Sequence, residues 1–310
     1  MPRILNVAVA QMGPIDKADS RERIVARIIE LFKEAKALGA NVVVLPELCL
    51  TTFFPRFSLD QAALDMYFER EMPNVGVAPI FEYARDNRIG FSLGFAEIPE
   101  HAPDKRFNTQ IFVDDNGAIA FRYRKVHLPG YREHQPDAPF QHFELAYFDP
   151  GDLGFPVRRA MDANIGMCIC NDRRWPETFR VLGLQNVEIV LCGYNTAGVN
   201  FHGSEPAHLR MFHHLLTVQA GAYQNSTFVA AAAKAGIENG VPLIAGSCIV
   251  APSGEVVVLS QTQDDEIIFA RCNLEHAQFG KRSVFNFSKY RRPDAYRMIV
   301  DRVGAEDPEH

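Results

Sequence analysis

The chain has 310 residues, of which 47% are apolar and 23% are charged, and its formal net charge at pH 7 is −6. These values are typical of a globular protein and argue against a disordered, collagen-like or membrane-bound chain. The negative net charge argues against a nucleic-acid partner, because phosphate binding requires a basic surface. The first residues run directly into a strand-like segment without an apolar leader, so a cytoplasmic location is expected.

The first half of the chain predicts alternating strands and helices. Asp19 to Glu22 offers a capping box, apolar residues at helical spacing follow, and Gly39 is well placed to end that helix. A second helix is expected from Pro79 to Asn87. The predicted strands are Ile4 to Ala10, Val42 to Leu45, Ile89 to Ile98, Thr109 to Val113 and Ala118 to Tyr123, and the last two form a hairpin around Asn116-Gly117.

The second half of the chain repeats this order. Pro176-Glu177 opens one helix, and a long helix covers roughly His208 to Gln224. The predicted strands are Ile165 to Cys170, Val187 to Cys192, Thr227 to Ala233, Ile244 to Val250, Glu255 to Leu259 and Glu266 to Arg271. Two such halves predict an α/β protein, a four-layer α-β-β-α sandwich with pseudo-symmetric halves. Because no linker separates the halves, we expect one domain over residues 1–290 and a C-terminal tail over 291–310.

The six cysteines are interpreted as reduced thiols, since nothing in the sequence indicates secretion. Cys168 and Cys170 form a CxC pair, but there is no CxxC pair, and no further ligands stand at zinc-binding spacing. No metal site is therefore expected. A basic, aromatic-rich cluster between residues 281 and 292 allows base stacking or, in the interpretation we favour, a tail that packs on the body or on another subunit.

Three residues whose side chains could take part in catalysis lie at the carboxyl ends of predicted strands. Glu47 follows the run from Val42 to Pro46, Lys125 follows the strand that ends at Tyr123, and Cys170 ends its own strand. Loops at the carboxyl ends of strands commonly form the active-site crevice of α/β proteins. A carboxylate can take the proton of a thiol, and an ammonium can stabilise an oxyanion. Taken singly, such a Cys is more often a buried apolar residue, and such a Glu or Lys is more often solvated surface.

Three motifs in this order decide between these interpretations. They are Leu45-Pro46-Glu47, Tyr123 to Leu128, and Cys170 to Glu177. Together they resemble the nitrilase superfamily of carbon–nitrogen hydrolases, and the likeness extends to about residue 290. The resemblance implies the four-layer fold, Glu47 as general base, Lys125 as oxyanion-stabilising cation and Cys170 as nucleophile. It further implies that Glu144 supports the triad and that no metal or organic cofactor is required.

Other segments resemble one branch of this superfamily, the N-carbamoyl-D-amino acid amidohydrolases. They are residues 50–56, 127–130, 139–142, 144–156, 193–196, 212–216 and 285–287. The resemblance implies a small-molecule substrate, an N-carbamoyl amino acid, that is hydrolysed to D-amino acid, ammonia and carbon dioxide through a thioester-type intermediate. Members of the superfamily are usually homo-oligomers built from dimers, so a homodimer or homotetramer is expected.

The residues after Cys170 suit a substrate with a free carboxylate. Arg173 and Arg174 follow the nucleophile closely, and the planar guanidinium binds a carboxylate through two hydrogen bonds. Either one or both are expected to contact it. Asn195 and Thr196, which follow the neighbouring strand, are expected to add hydrogen bonds to that carboxylate. The backbone N–H of Asn171 is expected to bind the oxyanion.

Three histidines are further candidates for the site. His127, His142 and His213 stand at positions that the resemblance ties to activity, although a single buried histidine is more often structural. We expect them to orient the carboxylates or the carbamoyl group. Residues 197–207 match the branch poorly, although a loop over the active site is expected there, and this leaves the side-chain preference of the substrate open.

Two classes of alternative remain at this stage. A sister enzyme such as a β-ureidopropionase, an aliphatic amidase or a nitrilase would share the triad and need no clamp for an α-carboxylate. A non-catalytic protein that keeps the fold is the other alternative, and the complete set of Glu47, Lys125 and Cys170 argues against it.

Overall fold

The computed structural model describes residues 2–200 and 205–308. Its strands are, in chain order, β1 Ile4–Gln11, β2 Val42–Val44, β3 Phe68–Glu69, β4 Gly90–Glu97, β5 Phe107–Val113, β6 Ile119–Arg124, β7 Val157–Ala160, β8 Ala163–Ile169, β9 Ile189–Tyr194, β10 Phe228–Ala233, β11 Ile237–Glu238, β12 Val241–Pro242, β13 Cys248–Val250, β14 Val256–Leu259 and β15 Glu266–Asn273. Its α-helices are α1 Arg21–Ala37, α2 Gln61–Asp65, α3 Ala78–Asp86, α4 Glu144–Tyr147, α5 Pro176–Leu184, α6 Ala207–Asn225, α7 Glu275–Arg282, α8 Phe287–Tyr290 and α9 Arg297–Asp301. Short 3-10 helices cover Phe54–Arg56, Cys170–Arg174 and Pro293–Tyr296.

The large strands form two mixed sheets with the same topology. The first sheet has the order β15-β1-β2-β4-β5-β6, with β3 beside β4, and the second has the order β14-β13-β10-β9-β8-β7. In each half three strands run parallel, β1-β2-β4 and β8-β9-β10, and an antiparallel pair follows. The prediction of two pseudo-symmetric halves is therefore confirmed.

The side chains of β1 show how the layers are built. Val7 and Val9 point into the core shared with the second sheet, whereas Ala8 and Ala10 point into the core beneath α1 and α3. This alternation follows from the two-residue period of a strand. On the other side of the molecule α5 and α6 pack on the second sheet, with Phe179 and Val218 buried there. The predicted four-layer α-β-β-α sandwich is the observed architecture.

Most predicted elements are found within two or three residues of their expected ends. The N-cap of α1 is Ser20, whose hydroxyl accepts a hydrogen bond from the backbone N–H of Arg23 at 3.3 Å, and Gly39 follows the helix with φ +85°. The strand predicted from Ile244 was wrong in its first half. Ala245 and Gly246 have φ of +53° and +81°, left-handed values that a strand cannot contain, so β13 begins only at Cys248.

Strand β7 was not predicted. It pairs with β8 through a tight turn in which Met161 and Asp162 both have positive φ, +48° and +61°. Turns of this kind normally carry Asn-Gly or Asp-Gly, and neither dipeptide is present to signal the hairpin. The pairing places β7 at the edge of the second sheet, beside the strand that leads to Cys170.

The basic, aromatic-rich cluster packs on the body of the protein. The guanidinium of Arg180 on α5 lies 4.4 Å from the ring centroid of Phe287, and Tyr223 on α6 contacts Phe285 edge-on at 5.0 Å. The described part of the tail carries a 3-10 helix and α9, and residues 309–310 lie outside the described residues. Where the domain ends near residue 290 stays a prediction. In the described chain no helix combines the length and the apolar character needed to cross a bilayer.

Candidate active site

Glu47, Lys125 and Cys170 meet at one place between the two halves. Lys125 Nζ lies 2.7 Å from Oε1 of Glu47 and 2.5 Å from Oε2 of Glu144. The side chains of Lys125, Glu47 and Glu144 are fully buried. The backbone of Asn195 links this group to the thiol. Its N–H donates to Oε2 of Glu47 at 3.1 Å, and its carbonyl faces Sγ of Cys170 at 3.9 Å.

Glu47 is held by close approach of the two sheets. A Cβ on Gly94 would lie 3.0 Å from the Glu47 Cα, and one on Gly193 would lie 2.7 Å from its backbone nitrogen. Only glycine fits at these positions of β4 and β9. Asn108 on β5 donates from Nδ2 to Oε1 of Glu47 at 2.8 Å, so the carboxylate of Glu47 has partners on both oxygens. Asn108 was missed from the sequence because no motif marks it.

The turn that carries Cys170 is strained and held by Asp172. Cys170 has φ +47°, a conformation that costs a residue with a side chain about 1–3 kcal/mol. One carboxylate oxygen of Asp172 accepts from the Ile169 N–H at 3.0 Å and from the Tyr123 hydroxyl at 2.6 Å. The other accepts from the backbone N–H of His127 at 2.9 Å and lies 2.8 Å from its Nδ1. Asp172 therefore ties the turn that carries Cys170 to the strand end near Lys125, a role that the sequence did not reveal.

The two acidic residues beside Lys125 have opposite electrostatic environments. Burial raises the pKa of Glu47, and the charge of Lys125 offsets this only in part. Burial acts on Glu144 too, but Lys125 and a hydrogen bond from His142 outweigh it and lower the pKa of Glu144. Paired acids whose pKa values move apart commonly divide their tasks. Glu47 is thus suited to exchange a proton, whereas Glu144 stays ionised and holds Lys125.

Lys125 and Cys170 complete this electrostatic picture. Burial opposes the charge of Lys125, but Glu144 and Glu47 raise its pKa, so the ammonium persists at neutral pH. Burial and the charge of Glu47 raise the pKa of Cys170, while Lys125 and Arg173 act in the opposite direction. The resting thiol therefore needs a base to become a thiolate, and Glu47 is the buried carboxylate suited to that step.

A cavity of about 430 Å³ opens onto Cys170. Its lining includes the apolar residues Leu128, Pro129, Phe140, Leu145 and Trp175. It also includes the polar or charged residues Asn171, Arg174, Asn195, Thr196 and Arg210. The cavity can hold a small molecule with one polar, anionic end and one apolar group.

Only one of the two expected arginines reaches this cavity. Arg174 is half-buried, and in residues 2–200 and 205–308 its guanidinium makes no ion pair or hydrogen bond. Burial and repulsion from Arg173 lower its pKa to about 10, so it is still charged at neutral pH. The expectation that Arg173 contacts substrate is not supported. Successive residues of the 3-10 turn point in different directions, and Arg173 points inward.

Arg173 holds the turn that carries Cys170 through its backbone. It is 1% exposed and donates to the Cys170 carbonyl at 2.6 Å and to Oγ1 of Thr196 at 3.0 Å. Its Nε donates to Nδ1 of His214 at 3.1 Å. His214 is fully buried on α6, and the sequence did not single it out.

The three predicted histidines occupy different places. His142 lines the cavity, and its Nε2 lies 2.9 Å from Oε1 of Glu144; burial lowers the pKa of His142. His127 lies against Asp172 and stacks on Trp175 with ring centroids 5.0 Å apart. His213 is outside the cavity lining, where its Nδ1 contacts Glu205. Within the loop expected over residues 197–207, residues 201–204 lie outside the described residues.

A buried cluster of charged side chains, Lys234, Glu238 and Arg56, contacts the site through Asn195. Glu238 is fully buried and accepts from Lys234 Nζ at 3.0 Å and from Nη1 of Arg56 at 3.4 Å. Arg56 in turn donates from Nη2 to Oδ1 of Asn195 at 3.1 Å. The cluster therefore reaches the residue whose backbone joins Glu47 to Cys170. In the described chain no group of three or more His, Cys, Asp or Glu side chains could hold a metal ion.

Cys170 is expected to be the thiol that a small alkylating reagent labels first. It is 7% exposed and lines the cavity, whereas Cys49, Cys168, Cys192, Cys248 and Cys272 are at most 1% exposed. Because the pKa of Cys170 is raised, labelling by iodoacetamide should become faster as the pH rises above neutral. Peptide mass spectrometry after brief alkylation measures this, with Cys170→Ala as control. Equal labelling of a second cysteine would contradict the geometry.

Comparisons with known proteins agree with this architecture. The carbon-nitrogen hydrolase family matches residues 6–282. The N-carbamoylputrescine amidase of Arabidopsis thaliana is 30% identical over 90% of this chain and 91% of its own length. The citrullinase of Francisella tularensis is 28% identical over 96% of this chain and 98% of its own length. A solved carbon-nitrogen hydrolase from Helicobacter pylori G27 has a TM-score of 0.83 and 23% identity, covering 97% of this chain and 99% of that chain. With the family matched over nearly the whole chain and the fold shared, this protein belongs to the carbon-nitrogen hydrolases of the nitrilase superfamily.

Proposed function

We propose that this enzyme hydrolyses N-carbamoyl-D-amino acids to the D-amino acid, ammonia and carbon dioxide. The observation that carries the proposal is the position of Arg174. It is a charged guanidinium without a partner in the described chain, and it lines the same cavity as Cys170. A half-buried cation of this kind favours an anionic ligand, and a carboxylate matches its planar fork.

The relatives support a substrate with a carbamoyl group. N-carbamoylputrescine and citrulline, the compounds in the names of two relatives, both carry a terminal carbamoyl group on a nitrogen atom, as N-carbamoyl amino acids do. N-carbamoylputrescine ends in an ammonium, which the charge of Arg174 would repel from this cavity. The apolar residues of the lining favour an uncharged side chain. The D configuration is proposed from the resemblance of the motifs alone.

In the first half of the proposed reaction, Glu47 takes the proton of Cys170 and the thiolate attacks the carbamoyl carbon. The oxyanion is stabilised by Lys125 Nζ and the backbone N–H of Asn171. The tetrahedral intermediate then loses its terminal amine, which leaves as ammonia with the proton that Glu47 had taken. This gives a thioester in which the amino-acid nitrogen is still bound to the carbonyl.

In the second half, Glu47 removes a proton from water and the hydroxide attacks the thioester carbon. The carbon–sulfur bond breaks, and the proton returns from Glu47 to Cys170. The released carbamic acid then separates into carbon dioxide and the free amino acid. Glu144 and His142 keep Lys125 in place.

The substrate test compares five compounds with purified protein. They are N-carbamoyl-D-phenylalanine, its L isomer, N-carbamoyl-β-alanine, N-carbamoylputrescine and citrulline. The proposal is supported if the enzyme turns over N-carbamoyl-D-phenylalanine, little of its L isomer and no N-carbamoylputrescine. Preference for the β-alanine compound, the amine or citrulline keeps the triad but assigns a sister activity. Free amino acid and ammonia are both quantified, so that loss of only one product is detected.

Arg174→Gln is expected to lower kcat/KM for N-carbamoyl-D-phenylalanine by about a hundredfold, mainly through KM, since a charged pair is lost. The amide of the same substrate has no carboxylate, and the two enzymes should process it within about threefold of each other. Steady-state kinetics on both compounds separate carboxylate binding from folding. Exposed Arg158 provides the matched control, as Arg158→Gln. A similar loss with the amide would refute the carboxylate contact.

A further inference from the structure

Two arginines line the cavity beside Cys170, and they differ in their partners. Arg174 has no hydrogen bond or ion pair within the described ranges 2–200 and 205–308. Arg210 on α6 is 7% exposed, and its Nη1 lies 2.6 Å from Oε2 of Glu205. Its Nε donates to the carbonyl of Ala197 at 3.2 Å. One of the two cationic groups is therefore already neutralised.

Glu205 is held firmly in this pair. Asn200 donates from Nδ2 to Oε2 at 2.9 Å, and Nδ1 of His213 contacts the other carboxylate oxygen. Burial would raise the pKa of Glu205, but the hydrogen bonds from Arg210, Asn200 and His213 outweigh it and lower the pKa to about 2. The carboxylate is therefore ionised throughout the physiological range and stays paired with Arg210.

We propose that Glu205 is a specificity-determining residue, which neutralises Arg210 and so limits the cavity to substrates with a single carboxylate. The inference rests on the proposed function, in which Arg174 binds the α-carboxylate. A substrate with an acidic side chain would have to displace Glu205 from Arg210 or lie close to a second negative charge. Both cost free energy, because the pair is largely screened from water. Exclusion by such a repulsive charge discriminates between substrates of equal size.

The test compares N-carbamoyl-D-glutamate with N-carbamoyl-D-glutamine, which have the same shape and differ by one charge. The wild type should prefer the glutamine compound. In Glu205→Gln the guanidinium of Arg210 is released, and the ratio of kcat/KM for glutamate over glutamine should rise by about tenfold or more. In Glu205→Gln combined with Arg210→Gln the gain should disappear. A ratio of two substrates is insensitive to a general loss of active protein.

A binding measurement decides the inference even if N-carbamoyl amino acids are not the substrate. Glutarate and its monoamide are used to protect Cys170 from alkylation by iodoacetamide. In Glu205→Gln, the concentration of glutarate that protects Cys170 should be about tenfold lower than that of the monoamide. The wild type should show no such preference. If Glu205→Gln shows this preference for glutarate but no carbamoyl compound is turned over, only the proposed function is refuted. Equal protection by the two ligands in Glu205→Gln, or none by either, overturns the role of Glu205, as does a gain that survives in the double variant.

Discussion

Cys170→Ala is expected to lower kcat by at least about 10⁴-fold, with folding preserved. The covalent route through the thioester disappears, and the buried Glu47 and Lys125 alone offer water no comparable path. Alanine tolerates the positive φ of Cys170 as poorly as cysteine does, so the free energy of unfolding should change little. Turnover of N-carbamoyl-D-phenylalanine and urea unfolding measure the two quantities on the same preparation.

Cys272→Ala is the matched control for this substitution. Cys272 is 1% exposed on β15, outside the cavity lining, and its removal should leave kcat within about threefold of the wild type. A Cys170→Ala enzyme that keeps substantial activity would remove Cys170 from the mechanism. A parallel loss in Cys272→Ala would indicate instead that the assay reports on folding.

Glu238→Gln is expected to lower the free energy of unfolding by about 3–5 kcal/mol, the usual cost of removing one partner from a buried pair. Glu238 has no exposed surface, and one of its oxygens accepts from both Lys234 Nζ and the backbone N–H of Ile15. The amide of glutamine is neutral and has only one oxygen, so Lys234 is left buried without its counter-charge. Urea unfolding measures the change, and exposed Glu255 provides the matched control as Glu255→Gln.

The difference in free energy of unfolding between wild type and Glu238→Gln should depend on pH with a definite sign. Burial acts to raise the pKa of Glu238, but Lys234 and Arg56 outweigh it and lower the pKa below the ordinary value of 4.5. The stabilisation is therefore fully present above that value, and it is lost as the pH falls through the lower pKa of the folded state. The gap between wild type and Glu238→Gln should thus narrow on acidification below about pH 4. A gap that widens there would contradict the ionised state of Glu238.

Glu238→Gln should also slow catalysis at a pH where the variant is folded. Arg56 contacts both Glu238 and the side chain of Asn195, whose backbone holds Glu47. A change in kcat larger than the change in KM would indicate that the buried cluster positions Glu47. Unaltered kcat in the folded variant would confine the cluster to a role in stability.

The two halves of the fold could be predicted from the sequence because their signals are local. Strand and helix periods, the caps of α1 and the Asn116-Gly117 turn depend on residues close in the chain. The miss at β7 shows the limit, since its turn at Met161 and Asp162 adopts positive φ without glycine or asparagine. The false start of β13 has a similar origin, because Ala245 adopts a backbone conformation that its residue type does not announce.

The sequence by itself determined the fold class, the family and the candidate trio of Glu47, Lys125 and Cys170, because ordered motifs at strand ends carry that information. Only the tertiary structure decided that Arg174 faces the cavity while Arg173 braces the turn, and that His214 is the buried neighbour of His213. Directions around a turn or a helix differ by about 100° between neighbouring residues, and small errors in boundaries reverse them. The pairing of Glu238 with the backbone of Phe53 joins residues 185 positions apart. Such contacts arise from the packing of the two halves, and no local pattern encodes them.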